Sequence, residues 1–430
     1  PTRELLNYPV IIAGDNNWAK IEPLLGDRYQ SFEYVRMWWP TQEYFGLTWE
    51  RVRGALASPE YRQALLNIWL NRDYTAYGQL RGIDYSLKNW NPSDRMKLFI
   101  RKDIVGQVWD FGAAPQALEP VTFVDPYEAG MSLKVADPIL GYTGTSAGQF
   151  SKPRGVDIAP DGSLYVADTL NHRIQHLARS GEVLQVWGEL GSVDQGEAPG
   201  GTFNEPWDLA VAPDGTLWVA DTWNHRVQHF SATGDFLGMI GTFGQAESAT
   251  AFWGPRSVAV DSQGRLFVSD TGNKRVVVFD KDGNSLGQFG VPGYLEGQLD
   301  EPVGIATDRQ GRVYVADTWN QRIQVFEEAE PNVFEPVREW RVEGWYGQSL
   351  DNKPYLAVSA KGDVCTSDPE GYRVLCFDEA GVFTQGWGDF GSSDSTFDLP
   401  TGLDFDDDGG LWVVDAGNGR VMRFSLADGG

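Results

Sequence analysis

Leu164-Tyr165-Val166-Ala167-Asp168-Thr169-Leu170-Asn171-His172-Arg173-Ile174 is an alternating apolar run that ends in an aspartate and is answered five residues later by an arginine. The pair returns as Asp221 with Arg226, Asp270 with Arg275, Asp317 with Arg322, Asp368 with Arg373 and Asp415 with Arg420, at successive spacings of 53, 49, 47, 51 and 47 residues. One supersecondary unit is therefore written six times, and a period of that length means an array or a ring.

Around each pair the chain repeats the same order of parts. A proline leads into an alternating strand, then a turn, a second strand ending in the aspartate, a short Asp-Thr-x-Asn-like loop, an arginine-led third strand, and a fourth strand that ends near a glycine. In the first copy these are Pro153, Val156 to Ala159, Asp161-Gly162, Leu164 to Asp168, Arg173 to Leu177 and Val183 to Gly188. Period-two alternation broken by tight turns reads as four antiparallel strands. The turns carry Gly162, Gly215, Gly264, Gly311, Gly362 and Gly409, the residue type that tolerates positive φ. Six such units predict a mainly β fold, a six-bladed β-propeller. The last copy stops after its third strand, Val421 to Leu426, while Ile139 to Gly144 matches the fourth-strand pattern of Phe236 to Gly241. The N-terminal strand is therefore expected to close the ring by completing the last blade.

Asn171-His172-Arg173-Ile174 and Asn224-His225-Arg226-Val227 resemble the motif of NHL-repeat propellers, and the resemblance covers about residues 133 to 430. The later copies depart at the His and Asn: Asn273-Lys274-Arg275, Asn320-Gln321-Arg322, Gly371-Tyr372-Arg373 and Asn418-Gly419-Arg420. The resemblance implies a structural role for the recurrent Asp and Arg, as a bridge inside each blade.

Residues 1–112 do not repeat. Pro9 to Ala13, Phe32 to Trp39 and Met96 to Ile100 read as strands, and Trp18 to Leu25, Leu47 to Ala57, Pro59 to Asn71 and Asp103 to Trp109 as helices. Ser58 is placed to cap a helix with Pro59 at its first position. A small α/β domain is expected here, followed by a Pro-rich linker over 113–132 and the propeller over 133–430. Two of its segments, Tyr34 to Pro40 and Leu98 to Asp110, resemble the soluble extracytoplasmic tail of prokaryotic polyprenyl-phosphate-dependent membrane glycosyltransferases of the oligosaccharyltransferase and flippase-associated type. The catalytic motifs of those enzymes lie elsewhere in them. What the resemblance implies is a place outside the cytoplasmic membrane, beside glycan assembly, with the membrane-embedded part of a parent protein as a partner.

A formal charge of −25, from 35 Lys and Arg against 60 Asp and Glu, argues against a phosphate-tracking nucleic-acid surface and against anionic membranes. No run reaches the 18 or more apolar residues of a membrane span, and no signal peptide opens the chain. It begins at Pro1, which suggests processing from a longer precursor. The two cysteines, Cys365 and Cys376, fall on either side of the fifth hairpin. Pairing Asp368 with Arg373 puts them opposite each other on adjacent strands. A disulfide formed in an oxidising compartment and two small buried apolar side chains both fit that register.

The four histidines invite a metal reading, but His172 and His225 share one repeat position and His176 and His229 another. Zinc needs three or four ligands at one point, and equivalent sites on adjacent blades do not converge. Amidating lyases are similar in fold, yet they need metal-bound histidines about the central channel that this chain does not supply. Asp404, Asp406, Asp407 and Asp408 look like a calcium loop until aligned, when Asp408-Gly409 becomes a hairpin turn; calcium stays a lesser option and no other cofactor is expected. Gly14-Asp15-Asn16-Asn17 lacks the glycine spacing of a phosphate loop. With the histidines so placed, no free base remains for a Ser-His-Asp set.

Function is expected where the copies disagree. The residues just after the repeat prolines and two after the repeat aspartates vary on one loop face, and they include Arg154, Trp207, Arg256, Tyr355, Trp223 and Trp319. Flat apolar rings beside cationic donors suit a sugar ring or an acidic peptide, or else pack between blades. The reading from sequence is a non-catalytic extracytoplasmic module, part of or cleaved from a membrane glycosyltransferase, that binds glycan or protein on this face. A structural protein of a surface array or oligomer is the alternative, and a lyase or lactonase type of propeller enzyme the third reading.

Overall fold

A computed structural model of the chain describes residues 125–345 and 352–426. Ahead of them it describes the strands Val10–Gly14, Tyr29–Val35 and Arg95–Arg101 and residues 21, 22, 25, 60, 79 and 102. The chain divides into two compact units, Pro1–Phe123 and Val124–Gly430.

In the first unit the three strands form one antiparallel sheet with Arg95–Arg101 in the middle. Ile11, Ile21, Leu25, Tyr29 and Phe99 pack into a small apolar cluster. The helices expected over 47–57, 59–71 and 103–109 lie outside the described residues, apart from a helical residue at position 60.

The second unit holds six four-stranded antiparallel sheets in the order the repeat requires. Their innermost strands are Val156–Ile158, Pro206–Val211, Ser257–Val260, Pro302–Thr307, Leu356–Val358 and Pro400–Phe405. Ile139–Leu140 pairs antiparallel with the strand Arg420–Ser425, Leu140 opposite Val421, as the fourth strand of the sixth blade. The turn glycines between first and second strands, from Gly162 to Gly409, take φ between +76° and +93°, which a side chain would strain.

The core lies in the seams. Each of six apolar clusters draws on two neighbouring blades, and the sixth seam joins the last blade to the first through Trp412, Val414 and Val421 against Val156, Leu164 and Val166. Alternation puts one face of each sheet on the preceding blade and the other on the next, so both faces are buried and the inner strands read as near-continuous apolar runs.

All six Asp and Arg pairs form, with Arg Nε 2.7 to 2.8 Å from the carboxylate. The aspartate does more than bridge its hairpin. Asp168 also accepts from the backbone N–H of Ser151 at 2.7 Å and from Asn171, and the outer nitrogens of Arg173 donate to the carbonyls of Thr145, Ser146 and Gln149. The pair therefore pins the loop that enters the blade as well as the turn within it. The fifth blade departs, since Gly371 stands where other copies have asparagine, and its Arg373 also reaches Asp125.

Candidate active site on the propeller axis

Counting from each repeat proline shows which side chains reach the axis. The residue one place on forms an upper layer, and here four of the six residues expected to face a ligand, Arg154, Trp207, Arg256 and Tyr355, pack on each other. Trp207 is fully buried, with the Arg154 guanidinium 3.9 Å from its ring and that of Arg256 4.5 Å away. Tyr355 is buried with its hydroxyl at 3.4 Å from the Trp207 carbonyl and 3.3 Å from that of Arg256. Trp223 is half-buried, edge-on to Trp207, and donates to Glu205 at 3.0 Å. Trp319 is half-buried beneath the Lys353 ammonium, which is itself buried against Glu301 at 2.9 Å. Burial lowers the Lys353 pKa against the pull of Glu301. Arg154, Trp207, Arg256 and Tyr355 thus form a packed plug in place of an open platform.

Below the plug the axis is carboxylic. Asp208, two places after its proline, accepts from the Ser257 hydroxyl and from the N–H of Val258 on the third blade at 3.2 Å. Burial pushes its pKa up to about 7 despite these bonds. Asp157 and Asp404 stand four places after their prolines, where the other copies have Ala210, Ala259, Ala306 and Val358. Their carboxyls are hydrogen-bonded to each other. Asp157 also accepts from Val211 N–H at 2.7 Å and Asp404 from Ile158 N–H at 2.9 Å, so each latches its strand to the next blade. Both pKa values are raised, by burial first and, for Asp404, also by the neighbouring Asp157 carboxylate. Two carboxyls this close cannot both ionise, and the pair holds one proton.

All three acids line a tunnel of about 180 Å³. At Thr307, Val358 and Asp404 the tunnel meets a chamber of about 760 Å³ on the face of the hairpin turns, the face opposite the expected ligand-binding loops. The tunnel wets part of each carboxyl while the surrounding strands keep the pair largely desolvated. The chamber wall includes Phe405, Asp406 to Asp408, Arg309 and Lys361, and the bridged Cys365 and Cys376.

The remaining sequence candidates are dispersed. His172 and His225 accept backbone N–H bonds from Glu205 and Gly254, while His176 stacks on Tyr165 and His229 on Trp218 with centroids 4.0 Å apart. Burial lowers the pKa of all four. The suspected calcium loop splits: Asp404 turns to Asp157, and Asp406 accepts from Arg423, Trp412 and the Gly410 N–H. Burial alone would raise the Asp406 carboxyl, but these bonds and the nearby arginines hold it low. Among the described residues, no group of three His, Cys, Asp or Glu stands ready to hold a metal. Reading from sequence missed Asp157 and Asp208. The signal was there, since Asp157 and Asp404 are acids at one inward-facing repeat position that is otherwise Ala or Val.

Residues 150–177, 203–230, 252–279, 299–326 and 397–424 match the NHL repeat family. The chain carries an NHL-repeat propeller. The fifth blade is missing from the match, in keeping with its Pro369-Glu370-Gly371 turn. The propeller is similar to a streptogramin B lyase, with a TM-score of 0.45 and 13% identity over 64% of this chain and 94% of that one. It is also similar to a gluconolactonase of Xanthomonas campestris, with a TM-score of 0.47 and 16% identity over 70% and 98%. Curated relatives match over shorter stretches. A "probable peptidyl-alpha-hydroxyglycine alpha-amidating lyase" of Caenorhabditis elegans is 29% identical over 113 residues, 26% of this chain and 31% of that protein. Human NHL repeat-containing protein 3 is 35% identical over 104 residues, 23% and 28%. The chain thus spans about a third or less of the length of these curated relatives.

One expectation is corrected here. Sequence alone favours a non-catalytic module, part of or cleaved from a membrane glycosyltransferase, over an enzyme of lyase or lactonase type. The solved structures to which the propeller is similar are named as lyases and a gluconolactonase, none of them as a binding module. Of the residues expected on the ligand-facing loops, Arg154, Trp207, Arg256 and Tyr355 are each less than a tenth exposed, while Trp223 and Trp319 are half-buried.

Proposed function

We propose that this propeller is an enzyme of the lyase or lactonase type, which breaks a carbon–oxygen bond of a small polar molecule by proton transfer at Asp157 and Asp404. The observation that carries this reading is the pair itself: two carboxyls on neighbouring inner strands, hydrogen-bonded to one another, where a tunnel meets a chamber of about 760 Å³. A pair sharing one proton supplies both a base and an acid. In the hydrolytic case the ionised member takes a proton from water as its oxygen bonds to the carbonyl carbon, and the neutral member protonates the ring oxygen as its bond to that carbon breaks. In the eliminating case the base takes a proton from carbon, a double bond forms, and the acid protonates the departing oxygen. Each turnover returns one proton to the pair.

The ring that holds the pair is taken as closed, supported by the pairing of Ile139–Leu140 with the last blade and by the Gly402 N–H to Arg154 carbonyl bond of 2.7 Å. The three-stranded sheet supports a small α/β domain in the first unit. The Cys365 to Cys376 bridge supports an oxidising, extracytoplasmic compartment, and among the described residues no helix is long and apolar enough to cross a membrane.

The test is a panel of small lactones followed by acid release, and of β-hydroxy and β-acyloxy carbonyl compounds followed by ultraviolet absorbance of the new double bond, each class including members that carry a free carboxylate. Wild type is expected to turn over at least one. Asp157→Asn and Asp404→Asn, with circular dichroism as the folding control, are expected to lose roughly 100-fold or more. Undiminished turnover in both folded variants, or no turnover across the panel, would sink the proposal.

A further inference from the structure

The chamber below the axial pair is lined by six aspartates on a chain of charge −25, and three of them are held by arginines. Asp308 is held by Arg312 at 2.6 Å, Asp406 by Arg423 at 2.6 Å, and Asp408 by Arg179 at 2.7 Å. Those three arginines are thereby committed to the frame. Two further cations line the chamber, Arg309 and Lys361, and among the described residues neither forms an ion pair. Both come from the turn between the first and second strands, on the fourth and fifth blades, so they stand on neighbouring turns. The same turn carries Asp161, Asp214 and Asp407-Asp408 on the first, second and sixth blades. The chamber mouth therefore carries these two cations at blades four and five, with Asp363 beside Lys361, and Asp406 to Asp408 on the side of blade six.

We infer that Arg309 and Lys361 form a carboxylate subsite, so that the small molecule delivered to Asp157 and Asp404 is a hydroxylated acid, not a neutral or cationic one. A planar guanidinium pairs with a carboxylate through two parallel N–H bonds, and an ammonium adds a mobile point charge beside it. The anion stays at the rim, where solvent and the two cations share its charge, and its uncharged carbons extend inward. Repulsion from the charge on the axial pair keeps the carboxylate from entering first. The identification of the substrate class rests on the proposed role of the axial pair, but the subsite is testable without turnover.

The probes are D-glucuronate and D-glucose, which differ by one carboxylate, titrated calorimetrically into wild type, into an Arg309→Gln, Lys361→Gln double variant, and into Asp404→Asn. Wild type and Asp404→Asn are expected to bind glucuronate more tightly than glucose. The double variant is expected to lose roughly tenfold in glucuronate affinity, and added salt to weaken the wild-type binding likewise. Equal binding of the two sugars, no glucuronate binding in wild type, or glucuronate affinity unchanged in the double variant would each overturn the inference. If glucuronate binds as expected while the lactone and elimination panel stays inert, the subsite stands and the proposed chemistry falls. If the panel reacts but glucuronate ignores the two cations, the reverse holds.

Discussion

Asp157 and Asp404 join the first and sixth blades through a hydrogen bond between their own carboxyl groups, directly beside the backbone bond from Ile158 to Asp404. Each is at once a latch between inner strands and half of a proton-sharing pair. The sixth and first blades meet where the ring begins and ends in sequence, so the proposed chemistry sits on the seam that depends on both ends of the propeller.

Carboxyls held above their usual value make stability fall with rising pH. Asp208, raised from 3.8 to about 7, and the axial pair, raised in the same direction, bind protons more tightly folded than unfolded. The stability they confer is complete below about pH 4 and is lost as pH climbs through about 7. Asp208→Asn, which is neutral throughout, is expected to flatten the decline in melting temperature between about pH 5 and 8. A decline as steep in the variant as in wild type would refute the assignment.

Removing one cation of the ladder should cost more than removing an exposed ion pair. Arg275 is 3% exposed and Asp270 fully buried, so Arg275→Met leaves a carboxylate with its charge uncompensated. Urea denaturation should show a loss of about 3–5 kcal/mol. Arg173, whose side chain is 13% exposed, should lose less on the same change.

The seam between the last and first blades has no room for a methyl group at Gly402. A Cβ there would run into the carbonyl oxygen of Arg154, which its own N–H binds. Gly409 has open space but φ of +76°, so Gly409→Ala carries only the conformational cost, about 1 kcal/mol. Gly402→Ala is expected to lower the melting temperature further than Gly409→Ala, and the reverse order would show that the seam can spread.

The Cys365 to Cys376 bridge links adjacent strands 11 residues apart in sequence. Intact mass without reductant should be lower by two hydrogens than after reduction, and the Cys365→Ala, Cys376→Ala double variant should lose about 2–3 kcal/mol by chemical denaturation. Equal masses before and after reduction would remove the support for an oxidising compartment.

The ladder from Asp168 and Arg173 to Asp415 and Arg420 was legible because a repeated unit must satisfy the same buried charges each time, and period-two alternation does not depend on the partner sheet. The register that set Cys365 against Cys376 and the pairing of Ile139–Leu140 with Val421 followed from the same arithmetic. The candidate site did not. Trp207, Arg154 and Arg256 vary in sequence as a binding face would, yet they stack into a plug, because six inner strands converge on an axis too narrow for large side chains to stay apart. Asp157 and Asp404 are 247 residues apart and read alone as one strand residue and one loop acid. Sequence alone determined the blade, since its hairpins are local. Only the tertiary packing, which sets the inner strand Pro400–Phe405 beside Val156–Ile158, decided that two distant carboxyls would meet.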